Sequence, residues 1–400
     1  MSELYLARQP IYDSELGVFA YELLYRASEE NSAPAGAGDQ ATYSVLVNAL
    51  TEIGLDELVG PHYAFINLTR GFLVGDNPMP FSGSNVVLEV LEDIPADEAV
   101  LAGVRRLAEE GHMIALDDFV YDESLRPLVE LCDIVKLDIM ALDEAQLREH
   151  VETLSQYDLK LLAEKVETQE AFELCKALGF DYYQGYFFCK PNLLKRTRVT
   201  GSQLALTQLL AKLSDPDVGM DELDAIVSHD VALSYKLLRY VNSAFFALPA
   251  KVACLRQALT YLGIDLVKQW SLVLAMSSIE DKPHELLTTA LVRARLCELI
   301  ADECGYEGKE RYFMVGLFSV LDALLDLPLE EVIASLPLAE EVNTALLQQE
   351  GQAGETLQQV IAFERGQWDQ VDGSAFSPEQ LQGFYLEAIR WVRAVGMPLK

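Results

Sequence analysis

The chain has no run of about 18 apolar residues, the shortest stretch from which a bilayer-crossing helix is built. Its first segment, Met1 to Ser14, carries acids and a proline instead of a basic stretch followed by an apolar one, so no secretory leader is expected. Both absences predict a cytoplasmic protein without a membrane partner. Basic residues are scarce as well: 30 Lys and Arg face 63 Asp and Glu, for a net charge of -33. Such a surface repels phosphate backbones, which argues against polymeric DNA or RNA as a partner. A small anionic ligand remains open, because bound cations reverse the local field. The six cysteines (Cys132, Cys175, Cys189, Cys254, Cys297 and Cys304) form no CxxC pair and read as reduced structural thiols. Sulfur is therefore not expected as a metal ligand, and with only five histidines, scattered from His62 to His284, a histidine-rich metal site cannot be assembled in the second half.

What is present is enough chain for two cores, since single cores rarely exceed about 250 to 300 residues. In the first half, β-rich runs begin at His62, Asn85, Met113, Asp133, Asp158 and Asp181. Helical periodicity lies between them, as in Ala96 to Glu110 and Thr168 to Leu178. Repeated strand-then-helix alternation argues for a parallel sheet, and this many repeats favour a closed α/β barrel. Asn67, Glu89, Asp117, Lys136, Glu164 and Gln184 each fall at or near the end of such a run. In a (β/α) barrel those ends open on one face, so the six converge. After Lys190-Pro191 the pattern turns helical: Leu204 to Leu213, Met220 to Val227, Ala232 to Val241 and Leu255 to Leu262. The expected organisation is a barrel over residues 1–196 and an all-α domain over 197–400, with the boundary near Leu194 to Gly201. Ser32 to Gly38 reads as a surface loop, and Gly351 to Gly354 and Asp372 to Ser377 as punctuation between helices.

Taken singly, these polar residues have plain readings. Glu22 and Glu89 read as solvated strand-end acids, Asn67 as a turn former, and Lys136 with Asp138 as a pair on opposite faces. Their joint order says more. RQPIYD at Arg8 is followed by YELLYR, FINLTR, LEVLED, ALDDF, VKLD, AEKVET and YYQGYFFCKP. In this order the strings resemble the EAL family of cyclic di-GMP phosphodiesterases from Leu6 to Pro191, with Glu22, Leu24 and Arg26 matching its ExLxR signature.

The resemblance implies a TIM-like barrel and a set of roles. Glu22, Asn67, Glu89 and Asp117 would hold one divalent cation and Asp118 would join a second. Oxygen ligands of this kind suit Mg²⁺ or Mn²⁺. Two such ions about 3.5 to 4 Å apart activate a shared hydroxide for in-line attack on phosphorus. Lys136, helped by Glu164, would orient or deprotonate the water, with Glu22 completing the catalytic set. Gln9, Leu24, Arg26, Asp138, Glu167 and Gln184 would line the substrate site. Three departures bear on turnover. Val120 and Tyr121-Asp122-Glu123 replace the glycine-rich segment that usually follows DDF, and the interval from Asp117 to Lys136 is shorter than usual by about two residues. Leu91 stands beside Glu92, which normally fastens that loop, and Lys165 stands where glycine is common, placing a bulky cation beside Glu164. The ligands survive while their support changes, which predicts weakened metal binding or a lowered rate.

The second half resembles the HDOD domain, through SHDVALSYKLLRYVNSAFF at Ser228, LRQALTYLGIDLVKQW at Leu255 and FMVGLFSVLDALLDLP at Phe313. Asp230 is expected to cap a helix beginning near Val231, with Leu233, Leu237, Leu238 and Val241 facing the core and Asn242-Ser243 tying the turn. Ser319 and Val320 occupy the positions where a working HD hydrolase has metal ligands, so this half reads as a protein-binding module. The resemblance implies a cyclic di-GMP signalling protein whose barrel binds the dinucleotide, and linearises it to pGpG if turnover survives. The alternative is a scaffold that acts by protein contacts without turnover. EAL domains commonly dimerise, so a homodimer is also implied.

Overall fold

The computed structural model describes residues 4–27, 54–75, 85–185, 201–243, 245–246, 251–277, 279, 282–371 and 376–395. The chain divides into two compact units, Met1–Phe187 with Ala362–Gln382 and Phe188–Ile361 with Gly383–Lys400. Ser32 to Gly38 lies outside the described residues, as does Lys190-Pro191. No described helix is long and apolar enough to cross a membrane.

The first unit is a closed barrel of eight strands in sequence order. They are β1 (Leu4–Asp13), β2 (Val18–Ala27), β3 (Tyr63–Leu68), β4 (Val86–Val90), β5 (Met113–Leu116), β6 (Ile134–Asp138), β7 (Lys160–Glu164) and β8 (Tyr182–Gln184). Neighbours from β2 to β8 run parallel, as the alternation predicts, but β1 is antiparallel to both β2 and β8. The cause is local. Asp13 accepts amide hydrogens from Glu15 and Gly17 at 2.9 Å, closing a tight turn, and a turn that short joins only antiparallel strands. This hairpin was hidden in the sequence because both faces of a barrel strand are buried, so β2 reads as one apolar run without alternation.

Side chains two residues apart share a strand face. The barrel interior is floored by Ile11, Ala20, Phe65, Val87, Ala115, Ile134 and Leu162, all at most 2% exposed, with Tyr182 packed against them. Two residues further along each strand stand Glu22, Asn67, Glu89, Asp117, Lys136, Glu164 and Gln184. On reversed β1 the equivalent of this step is Gln9, which pairs with Glu22 across the ladder. An apolar layer therefore carries a polar one directly above it, at the mouth the sequence predicts.

The surrounding helices follow their patterns. Asp97 accepts from the Val100 amide at 2.9 Å and starts helix Glu98–Glu109, whose buried Val100, Gly103, Val104 and Leu107 form one stripe. At the end of β8 the chain passes so close to Val166 that a Cβ on Gly185 would lie 2.2 Å from its carbonyl oxygen. Only glycine allows that approach, and it lets Val166 donate to the Gln184 carbonyl at 3.0 Å.

In the second unit, the helices Gly201–Ser214, Met220–His229, Val231–Val241 and Leu255–Leu262 lie where periodicity places them. Asp230 caps the third through the Leu233 amide at 2.9 Å. Asn242 ties its end, donating to Leu238 and Val252 carbonyls and accepting from the Val252 amide. Ser243 contributes its backbone amide to this turn, and its hydroxyl meets no partner among the described residues. Leu238 is only half-buried, and Tyr240 fills the core in its place, against Trp270 at 4.3 Å. Gly351, at φ 73°, opens the helix Gly351–Glu364 just after Glu340–Leu347 has ended, as its position between helices predicts, and Gly354 lies in the first turn.

Candidate active site

Each strand contributes its side chain to the mouth for the same reason, the period of two above the apolar floor. Lys136 is at the centre and fully buried. Its Nζ lies 2.6 Å from Glu89 Oε1, 2.6 Å from Asp117 Oδ1, 3.0 Å from Glu164 Oε1 and 3.5 Å from Glu22 Oε2. Glu22 is oriented from both sides, accepting from Gln184 Nε2 at 2.6 Å and Asn67 Nδ2 at 3.4 Å. Six of the predicted residues thus converge with Glu22, and the plain readings of Glu22 and Glu89 as solvated acids are replaced by burial. The plain reading of Lys136 and Asp138 also fails, because residues two apart on β6 share a face.

Low dielectric decides the protonation states. Burial alone would push Lys136 down, but Glu22, Glu89, Glu164 and Asp117 outweigh it and hold the ammonium well above its ordinary range. Burial pushes the Glu89 carboxyl well up despite the pull of Lys136. Burial likewise raises Glu164 to about 8 against the same pull, with Asp117 and Glu22 adding to the rise. Between its ordinary value of 4.5 and about 8, the folded state keeps a proton on Glu164 that the unfolded chain has released. Metal-free stability is therefore expected to fall as pH rises through that window, by at most about 1.4 kcal/mol per pH unit from this group. Urea midpoints measured from pH 5 to 8 check it: Glu164→Gln should flatten the slope, and an unchanged slope would refute the assignment.

The donor set suits a hard divalent cation. Glu89 Oε2 and Glu164 Oε2 are buried without a hydrogen-bond donor among the described residues, while Glu89 Oε1 and Asp117 Oδ1 have the Lys136 ammonium at 2.6 Å as their ion-pair partner. Buried carboxylate oxygens left in this state suit Mg²⁺ or Mn²⁺. Among the described residues no three acidic, histidine or cysteine side chains form a metal cage as they stand. The ammonium holds them around itself, so a metal would take over charge that Lys136 now balances.

A second cation stands at the rim. Lys165 stands beside Glu164 in sequence, but it lies one residue past the end of β7 with a left-handed backbone at φ 56°, and its ammonium pairs with other acids. Its Nζ reaches Asp138 Oδ2 at 2.5 Å and both Asp118 oxygens at 3.5 Å. Asp138 is fixed by the Met140 and Ala141 amides on its other oxygen, at 2.8 and 3.3 Å. The replaced loop after Asp118 is pinned rather than glycine-loose. Tyr121 donates to Glu123 at 3.0 Å and meets the Tyr157 hydroxyl at 3.3 Å, and Asp122 caps a short turn at Glu123–Leu125. Glu92 is exposed and makes no tie to that loop among the described residues.

Of the remaining predicted residues, Gln9 and Leu24 are half-buried on β1 and β2, and Glu167 is exposed beyond β7. The Arg26 side chain lies outside the described residues. Sequence reasoning missed the rim pair of Lys165 with Asp118 and Asp138, since nothing local signals a partner 47 or 27 residues away. In the second unit, buried Val320 and Ser319 occupy the positions without HD ligands; Ser319 donates to the Gly316 carbonyl at 2.7 Å and accepts from Arg293 at 3.2 Å.

The chain matches the family model of the EAL domain over residues 65–191 and that of the HDOD domain over 203–362. The Bacillus subtilis protein YuxH is 33% identical over 399 residues, covering 97% of this chain and 98% of its own. The Vibrio cholerae protein named cyclic di-GMP phosphodiesterase CdgJ is 35% identical over 400 residues, covering 98% of this chain and 93% of its own. A solved standalone EAL protein of Vibrio cholerae O395, in its c-di-GMP bound form, is 22% identical and aligns with a TM-score of 0.37, covering 48% of this chain and 93% of that one. With both domains present in order and both curated relatives matched nearly end to end, this chain belongs to the family of two-domain proteins that join an EAL domain to an HDOD domain.

Proposed function

We propose that the barrel mouth binds cyclic di-GMP together with Mg²⁺ or Mn²⁺ held by Glu22, Asn67, Glu89 and Asp117, in a cytoplasmic signalling protein whose HDOD domain engages a protein partner. The observation that carries this reading is the buried ring of carboxylates whose only cation among the described residues is Lys136, with Glu89 Oε2 and Glu164 Oε2 left without a donor. Burial of so many acids around one ammonium is poor for stability and suited to a site that exchanges charge with a metal and an anionic ligand. The name of the Vibrio cholerae relative supports the choice of dinucleotide. Linearisation to pGpG would use Glu164 and Lys136 beside the metal-activated water.

A scaffold without turnover is the second reading, favoured by the pinned segment Tyr121–Glu123 and by the engagement of Asp118 with Lys165. Calorimetric titration of the full chain with cyclic di-GMP in Mn²⁺ should give saturable binding that Glu22→Ala weakens. No binding in either Mg²⁺ or Mn²⁺ overturns the proposal. A timed assay for pGpG, with Glu164→Gln as the variant that binds without turning over, separates the enzyme from the scaffold.

A further inference from the structure

We propose that the Lys165 ammonium takes the place of a second divalent cation beside Asp118, so that the barrel mouth holds one metal ion and not two. The inference rests on the reading of the mouth as a metal-dependent site.

Three observations converge. First, Asp118 at φ 40° and Lys165 at φ 56° are both in the left-handed region, which side-chain-bearing residues enter only when their surroundings hold them there. They are so held: Phe119 donates to the Lys136 carbonyl at 3.0 Å, and Val166 to the Gln184 carbonyl at 3.0 Å. The two strained residues face each other across the mouth and join by charge. Second, the ammonium is anchored. Asp138, whose other oxygen is tied to two backbone amides, holds Nζ at 2.5 Å, and from that anchor Nζ is equidistant from both Asp118 oxygens at 3.5 Å. Third, an ammonium has three donors and no lone pair, so it neutralises a carboxylate but cannot become a metal ligand. A divalent ion entering at Asp118 would meet this positive charge at close range and would have to displace the ammonium from a carboxylate it already neutralises, which lowers what Asp118 offers the ion.

The chemical consequence is specific. The inner carboxylates around Lys136 remain available to one ion, while the rim presents a fixed organic cation able to donate to a phosphate oxygen. Such a cation steadies an anionic ligand, yet it cannot lower the pKa of a bound water as a second metal does. The arrangement favours holding the dinucleotide over cleaving it.

Metal stoichiometry tests this without an activity readout. Mn²⁺ binding to the full chain, counted by electron paramagnetic resonance of free Mn²⁺ and by calorimetry, should saturate at one ion in the wild type. It should saturate at two in Lys165→Gly, where the positive φ suits glycine, and in Lys165→Asn, which tolerates that backbone with a neutral side chain. Two ions in the wild type, one ion in both variants, or no ion in any of the three would overturn the inference. Cyclic di-GMP titrations on the same samples keep the ligand question apart: failure to bind the dinucleotide with stoichiometries of one and two would count against the ligand and leave Lys165 in its role.

Discussion

Replacing Lys136 by methionine is expected to destabilise the metal-free barrel by about 3–5 kcal/mol, the cost of removing one partner from a buried charge cluster. Lys136 is the cation within 4 Å of Glu22, Glu89, Asp117 and Glu164, and its side chain is fully buried. Methionine keeps most of the volume, so the loss measures charge and not a cavity. Two further results distinguish this cause from a packing defect. Mn²⁺ should restore stability, because the ion supplies the missing positive charge to the same oxygens. Lowering the pH should restore part of it as well, since burial already pushes Glu89 and Glu164 toward their neutral forms. Hydrogen exchange of strands β4 to β7 reads the barrel apart from the helical unit. A variant as protected as the wild type, or one that Mn²⁺ leaves untouched, would contradict the account.

The second large effect has opposite signs on stability and binding. Glu89→Gln should lower Mn²⁺ affinity by about 100-fold or more, a loss of at least about 2.7 kcal/mol, and carry cyclic di-GMP binding down with it. Metal-free stability should stay level or rise. The Glu89 carboxyl is fully buried, its Oε2 lacks a donor, and burial pushes it well toward the neutral form despite Lys136, so a neutral amide of the same shape removes an unfavourable burial. A residue kept for structure loses stability when neutralised, whereas one kept for a ligand loses only the ligand. Urea midpoints and Mn²⁺ titrations on one preparation give both numbers. Unchanged Mn²⁺ affinity would remove Glu89 from the site.

Which side chains share the barrel mouth was legible because strand periodicity is local. Asn67, Glu89, Asp117, Lys136, Glu164 and Gln184 each stand two positions after an inward apolar residue, so their common face follows from the backbone alone. The helical half was legible for the same reason: Asp230 as a cap and Asn242 as a turn tie need only neighbours a few residues away.

What the tertiary structure decided depends on contacts that close only when the barrel closes. The reversal of β1 brings Gln9 beside Glu22, and barrel closure sets Gln184 against Glu22 from 162 residues away. The position of a long lysine side chain is set by where negative charge is least solvated, and that is known only once every carboxylate is in place. Lys136 sits at the centre of its acids for that reason, and Lys165, one residue past Glu164, swings outward to Asp138 and Asp118. Local sequence determines which side chains enter the mouth. Burial and the summed field of distant strands determine which charges they meet there.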